Sequence, residues 1–266
     1  TAIREMVVRG APAIGCAAAF GLAAGSRRYP GEVGGFREAF DAGVARLAAS
    51  RPTAVNLFNC LAVQERIVME CGTPEEGIEL LSASAERMYR EDLDASREMG
   101  RLGADLLPEG AKVLTHCNAG GLATAGLGTA LAVIYEAHER GILSCVYADE
   151  TRPLLQGARL TSWELSRAGI PVKVMPDSAA ASLILSGKVD AVITGADRVA
   201  MNGDSANKIG TCSLALAASK AQVPFYIVAP VSTLDPGSPD GSFIEIEERG
   251  RDELAALGGR TLIPPG

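Results

Sequence analysis

The sequence predicts an α/β protein: a helical N-terminal subdomain over residues 1–108, followed by a mostly parallel sheet with flanking helices over residues 109–266. Three observations carry that prediction. The first hundred residues place apolar side chains at helical spacing with no strand-like run, whereas the remainder alternates short β-branched runs with helical periods. The chain is also long enough, at 266 residues with 47% hydrophobic content, to bury a core without disulfides.

In the first part, Ala13 to Arg27 is small and apolar, and Gly35 to Ala49 sets Phe36, Phe40, Val44 and Leu47 on one helical face. Thr53 to Glu70 repeats the pattern with Val55, Leu57, Leu61, Val63 and Ile67. Pro74 then opens a long amphipathic stretch that stops before Pro108-Glu109-Gly110, where the division between the two parts is expected. Two polar segments, VVRGAPAIG (Val7 to Gly15) and SRPTAVNL (Ser50 to Leu57), put an arginine just ahead of a helix start. Amides at such a start, together with a guanidinium, suit a phosphate. Pro12 and Pro52 also have a purely structural explanation, because proline is common in a first turn.

In the second part the expected strands are KVLTHC, SCVYAD, PVKVMP, AVITGA and PFYIVAP, giving a Rossmann-like order. The intervening segments LATAGLGTALAVIYEAHERG and GARLTSWELSRAG are helical in period. In a parallel sheet all five strand ends lie on one edge, so the residues that follow them should line one crevice. Those residues are chemically varied. His116-Cys117-Asn118 follows the first strand; Asp149-Glu150-Thr151-Arg152 and then Gln156 follow the second; Asp177 follows the third. Asp197 with the Asn207-Lys208 loop follows the fourth, and Thr233 with Asp235 the fifth.

Charge and composition narrow the partners. A net charge of −7 argues against nucleic acid or an anionic membrane surface, either of which rewards a basic face. No apolar run is long enough for a membrane span. Six scattered cysteines with no CxxC pair point to reduced thiols and a cytoplasmic setting. With two histidines, no His-rich metal site can be built, and the acids Asp149, Glu150, Asp177 and Asp204 arise at different strand ends and suit turns, so neither metal nor cofactor is expected. Thr1 leads straight into a motif and Pro264-Pro265-Gly266 ends abruptly, so native sequence is expected on both sides.

The segments VVRGAPAIG, SRPTAVNL, THCNAGGLAT, DETRPLLQGARLTSWEL and GADRVAMNGDSANKIGT, in this order, resemble the methylthioribose-1-phosphate isomerase family. Its wider superfamily includes isomerases of ribose 1,5-bisphosphate and 5-deoxyribose 1-phosphate, and regulatory subunits of a translation-initiation exchange factor. The resemblance implies a catalytic pair at Cys117 and Asp197 and substrate contacts from Arg9, Gly10, Ala11, Arg51, Gln156, Asn207 and Lys208. It also implies a sugar-phosphate substrate and a homodimer.

The implied reaction converts an aldose 1-phosphate, whose anomeric oxygen is capped, to the ketose 1-phosphate. The ring C–O bond must break while hydrogen moves from C2 to C1. Asp197 is the candidate acid for the ring oxygen, with a pKa raised by an apolar strand end. Cys117 is either a thiolate base or a polarisable stabiliser, and a facing helix start with Gly120 and Gly121 favours the thiolate. Each residue has a plainer alternative: a buried small hydrophobe for Cys117, a turn or an ion pair for Asp197, and a structural role for His116.

Overall fold

A computed structural model describes residues 2–29, 31–51, 55–246, 248, 250–257 and 259–264. The expected helix starts at Pro52 and Thr53 therefore lie outside the described residues, as do Thr1, Pro265 and Gly266.

Four helices lead the chain: α1 (Ala11–Ser26), α2 (Val33–Ala48), α3 (Val55–Glu70) and α4 (Pro74–Ala104). The small side chains of α1 let it sit deep among the others, with Ala18 and Ala19 fully buried against a cluster that includes Phe36, Leu57 and Leu81. Helix α4 starts where Thr73 accepts a hydrogen bond from the Glu76 amide at 3.2 Å and Pro74 occupies the first turn. Its far end leaves the helical cluster, and Gly100 and Gly103 bring its backbone against Ala132 and Val133. Ala104 and Leu107 thereby join the core of the sheet.

The sheet has five parallel strands: β1 (Ala111–Thr115), β2 (Leu143–Asp149), β3 (Val172–Met175), β4 (Ala191–Thr194) and, after a small hairpin of β5 (Arg198–Val199) and β6 (Ser205–Ala206), β7 (Phe225–Ile227). The order β3-β2-β1-β4-β7 places β1 at the centre with β2 and β4 beside it, and β1 and β4 are in register from Val113 opposite Ala191 to Thr115 opposite Ile193. Every residue of β4 is buried, as expected of a strand covered on both faces. Period-two alternation divides these side chains between two layers. Val113 and Ile193 meet α5 (Ala130–Glu139) and α6 (Ser162–Arg167) on one face. Leu114 and Val192 meet α7 (Ala180–Leu185) and α8 (Thr211–Ala221) on the other. A short α9 (Arg251–Ala255) follows near the end.

Two sequence expectations are corrected in detail. LATAGLGT is not helical: Gly121–Ala123 makes one 3-10 turn, and α5 begins only at Ala130. Local polar bonds outcompete the helix here, because Thr124 Oγ1 accepts from the amides of Gly126 (3.2 Å) and Gly128 (2.9 Å) and Asp92 accepts from Ala125 N (2.6 Å). GARLT forms a widened π turn, Gly157–Thr161, before α6.

Candidate functional site

All five strand ends do emerge on one edge, and a cavity of about 660 Å³ opens there against the helical part. All nine residues singled out from the sequence line it: Arg9, Gly10, Ala11, Arg51, Cys117, Gln156, Asp197, Asn207 and Lys208. The start of α1 supplies Gly10, Ala11 and Pro12, while Arg51 and Val55 come from the entry to α3. Gly10 must be glycine, since a Cβ there would lie 1.9 Å from the Ala123 carbonyl oxygen.

Cys117 sits just past β1 with φ +63°, a left-handed conformation that costs a non-glycine residue about 1–3 kcal/mol. Neighbours fix it there. Its amide donates to Thr151 Oγ1 at 2.9 Å, and its carbonyl accepts from Thr161 Oγ1 at 2.6 Å. Asn118, the next residue, is buried and donates to Glu164 Oε1 (2.7 Å) while accepting from Arg9. Glu164 also accepts from the Gly121 amide at 2.7 Å, so one buried carboxylate sets both the glycine loop and, through Asn118, the Arg9 guanidinium. Gln156 is buried at the cavity wall, and its Oε1 meets no partner among the described residues.

Electrostatics modify the sequence reading at two points. Burial pushes the Cys117 thiol above its ordinary pKa; Lys208, the Asn118 amide and Arg9 pull it back, and Asp197 opposes them. The resting thiol is protonated near neutrality, and the expected helix start that favoured a thiolate is only the 3-10 turn at Gly121. Burial also lowers the Arg9 pKa, countered by Cys117 and Glu164. Asp197, expected at a desolvated strand end, is instead exposed to the open cavity.

Four acids placed at the crevice from the sequence, Asp149, Glu150, Asp177 and Asp235, do not line it. Asp149 is buried against His116, Asp177 accepts from the amides of Thr151 and Arg152 at 2.7 Å each, and Asp235 pairs with Arg198 at 3.3 Å. His116, Asp149 and Asp177 are the one cluster of metal-ligand type among the described residues. Its donor atoms are already engaged, apart from one oxygen of Asp149. Conversely, sequence reasoning passed over Thr161 and Glu164, whose i, i+3 spacing in LTSWEL was visible, and the wall formed by Ile244, Glu245, Ile246 and Leu254, which no motif announced.

Fold and site together define an α/β protein of Rossmann-like class with a cation-lined cleft at the carboxyl edge of its sheet, suited to an anionic small molecule. The chain belongs to the Initiation factor 2 subunit family, whose model matches residues 7–264. It is 53% identical to a methylthioribose-1-phosphate isomerase of Alkalilimnicola ehrlichii and 51% identical to that of Pelotomaculum thermopropionicum, covering all of this chain and 76% and 74% of those relatives. Among solved structures it is similar to 5-methylthioribose 1-phosphate isomerase from Pyrococcus horikoshii OT3, with TM-score 0.92 and 45% identity over 99% of this chain and 74% of that one. It is also similar to the translation initiation factor eIF-2B subunit delta from A. fulgidus, with TM-score 0.85 and 42% identity over 99% of this chain and 77% of that one.

Proposed function

We propose that this protein is a methylthioribose-1-phosphate isomerase, converting 5-methylthioribose 1-phosphate to 5-methylthioribulose 1-phosphate in methionine salvage. The observation that carries the reading is the convergence of the Cys117 thiol, Asp197 and the cations Arg9, Arg51 and Lys208 on one cavity between the helical part and the sheet. A purely regulatory subunit would have no need of a strained, clamped cysteine facing Asp197.

Arg9, Arg51 and Lys208, with the amides of Gly10 and Ala11, hold the phosphate; Gln156 and Asn207 bind sugar hydroxyls. Asp197 protonates the ring oxygen as the C–O bond breaks. Hydrogen then passes from C2 to C1, either as a proton removed by the Cys117 thiolate and returned to C1 or as a hydride shift that a neutral Cys117 stabilises, and the C2 hydroxyl gives its proton to the Asp197 carboxylate as C2 becomes the carbonyl. The raised thiol pKa supports the second route in the resting site. Substrate closing over Asp197 supplies the desolvation that the open cavity lacks. Residues 1–108 and 109–266 act as two lobes around the ligand, the working unit is a cytoplasmic homodimer, and no metal or cofactor takes part. Among the described residues, no helix is long and apolar enough to cross a membrane.

The test is turnover of 5-methylthioribose 1-phosphate, ribose 1,5-bisphosphate and 5-deoxyribose 1-phosphate by the purified chain, followed by ³¹P NMR. Ketose phosphate from the first at the highest kcat/KM is expected; none from any of the three removes the proposal. Turnover in deuterated water then separates the routes, since label at product C1 requires an exchanging base.

A further inference from the structure

The imidazole of His116 is buried and engaged at both nitrogens: Nε2 lies 2.8 Å from the Ile209 carbonyl and Nδ1 lies 2.8 Å from Asp149 Oδ2. A carbonyl can only accept, so Nε2 carries a proton. In a neutral ring Nδ1 is then a bare lone pair, and the group facing it must donate. Asp149 can donate only as a carboxylic acid. Its other oxygen, Oδ1, is buried with no partner among the described residues, a tolerable state for a neutral carbonyl oxygen and a costly one for an ionised carboxylate.

The surrounding charges agree. From other elements Asp149 meets His116 past β1 and Asp177 past β3, and from its own strand end Glu150; burial and the two acids hold its proton on, while His116 alone favours release. The mechanical consequence lies at the other nitrogen. Ile209 follows Lys208, and Gly210 packs so closely that a Cβ there would lie 2.8 Å from the ring, at φ +105°. The ring therefore joins the end of β1, immediately before Cys117, to the loop that carries Lys208.

We propose that His116 and Asp149 form a neutral, proton-sharing strut that positions Lys208 relative to Cys117 for the isomerisation. Asp149 donates to Nδ1, which fixes the tautomer in which Nε2 donates to the Ile209 carbonyl and holds the loop. Both are positioning residues. The kinetic part rests on the isomerase reading, whereas the protonation part does not.

With two histidines in the chain, a His138→Gln variant leaves a single imidazole for ¹⁵N NMR. One protonated and one bare ring nitrogen at about pH 7 is expected; two protonated nitrogens would mean an ion pair and overturn the strut. In turnover of 5-methylthioribose 1-phosphate, Asp149→Asn, whose amide still donates to Nδ1, should keep kcat/KM within about threefold of the parent. Asp149→Leu and His116→Phe should each lower it about tenfold or more, chiefly by raising KM, because the loop bearing Lys208 is released. Asparagine as damaging as leucine, or phenylalanine without effect on KM, would refute the proposal. Should the leucine variant fail to fold, the asparagine variant and the ring nitrogens still decide, and a parent protein without turnover fails the isomerase reading alone.

Discussion

Polar groups at the carboxyl edge of the sheet fall into two sets. At the ends of the adjacent strands β1 and β4, Cys117 and Asp197 face the cavity, with Lys208, Arg9 and Arg51 gathered around it. At the ends of β2 and β3, Asp149 and Asp177 turn inward, one onto His116 and the other onto two backbone amides. The same residue type at the same position on a strand thus faces the cavity in one case and braces the scaffold in the other. What separates them is exposure: Asp197 opens onto the cavity, whereas Asp149 is buried against His116 and Asp177 is tied to two backbone amides. The inward set also supports the outward one, because Asp177 fixes the Thr151 amide and Thr151 Oγ1 holds the Cys117 amide.

Substitution of the acids tests that division most severely at Asp197. Asp197→Asn removes the proposed proton donor without altering shape; a general acid contributes about 10²–10⁴-fold, so on that proposal kcat should drop by that factor with unchanged far-UV circular dichroism. Activity within tenfold of the parent would place Asp197 with the supporting set instead. Asp177→Ala should behave in the opposite sense. It leaves two part-buried amides without acceptors, and denaturant titration should show a loss of about 2 kcal/mol. A loss of turnover with no change in stability would put Asp177 in the reaction.

How much of this was legible in the sequence depended on the kind of signal. The five strands and their shared edge follow from β-branched runs separated by helical periods, because sheet burial imposes that pattern directly. The nine cavity residues came from long motifs and from the rule that strand ends converge. The loop from Gly121 to Thr129 was misread because its alanines and leucines keep helical spacing, while Thr124 and Asp92 capture the amides a helix would need. Which acids turn inward was not legible either. Asp149 and Asp177 reach their partners across strands, and no local spacing encodes a contact between His116 and Asp149. Glu164 lay in a quoted motif, yet its partners Asn118 and Gly121 are more than forty residues away.

Glu164 offers a milder test, since it belongs to the supporting set while its effect reaches a cation of the cavity. Glu164→Gln must turn an amide NH₂ toward either Asn118 Nδ2 or the Gly121 N–H, both donors, so one bond is lost and Arg9 is set less firmly. KM for the sugar phosphate should rise about tenfold with kcat little changed, as expected for lost uniform binding. A fall confined to kcat would mean that Glu164 acts on the reacting atoms.

The smallest effect concerns thiols that never see the cavity. Burial, aided by Asp92, pushes Cys16 up to about 11, and burial, aided by Cys16, pushes Cys60 up to about 12, where its thiol lies 3.1 Å from the Gly15 carbonyl. Both folded values exceed the unfolded thiol's, about 8.5, so the unfolded chain releases its protons first as pH rises. Stability from these thiols is therefore complete below about pH 8.5 and declines as pH climbs toward the folded values. The urea midpoint should fall between pH 8 and pH 10, and Cys60→Ala should flatten that slope while lowering the midpoint at pH 8 through the lost packing. An unchanged slope would mean that the Cys60 thiol ionises as readily in the folded core as in water, against its burial and its bond to Gly15. Cys117 differs because Lys208 and Arg9 act against its burial. Phosphate bound between those cations would screen them and should slow its alkylation by iodoacetamide, whereas Cys60 should be indifferent to phosphate.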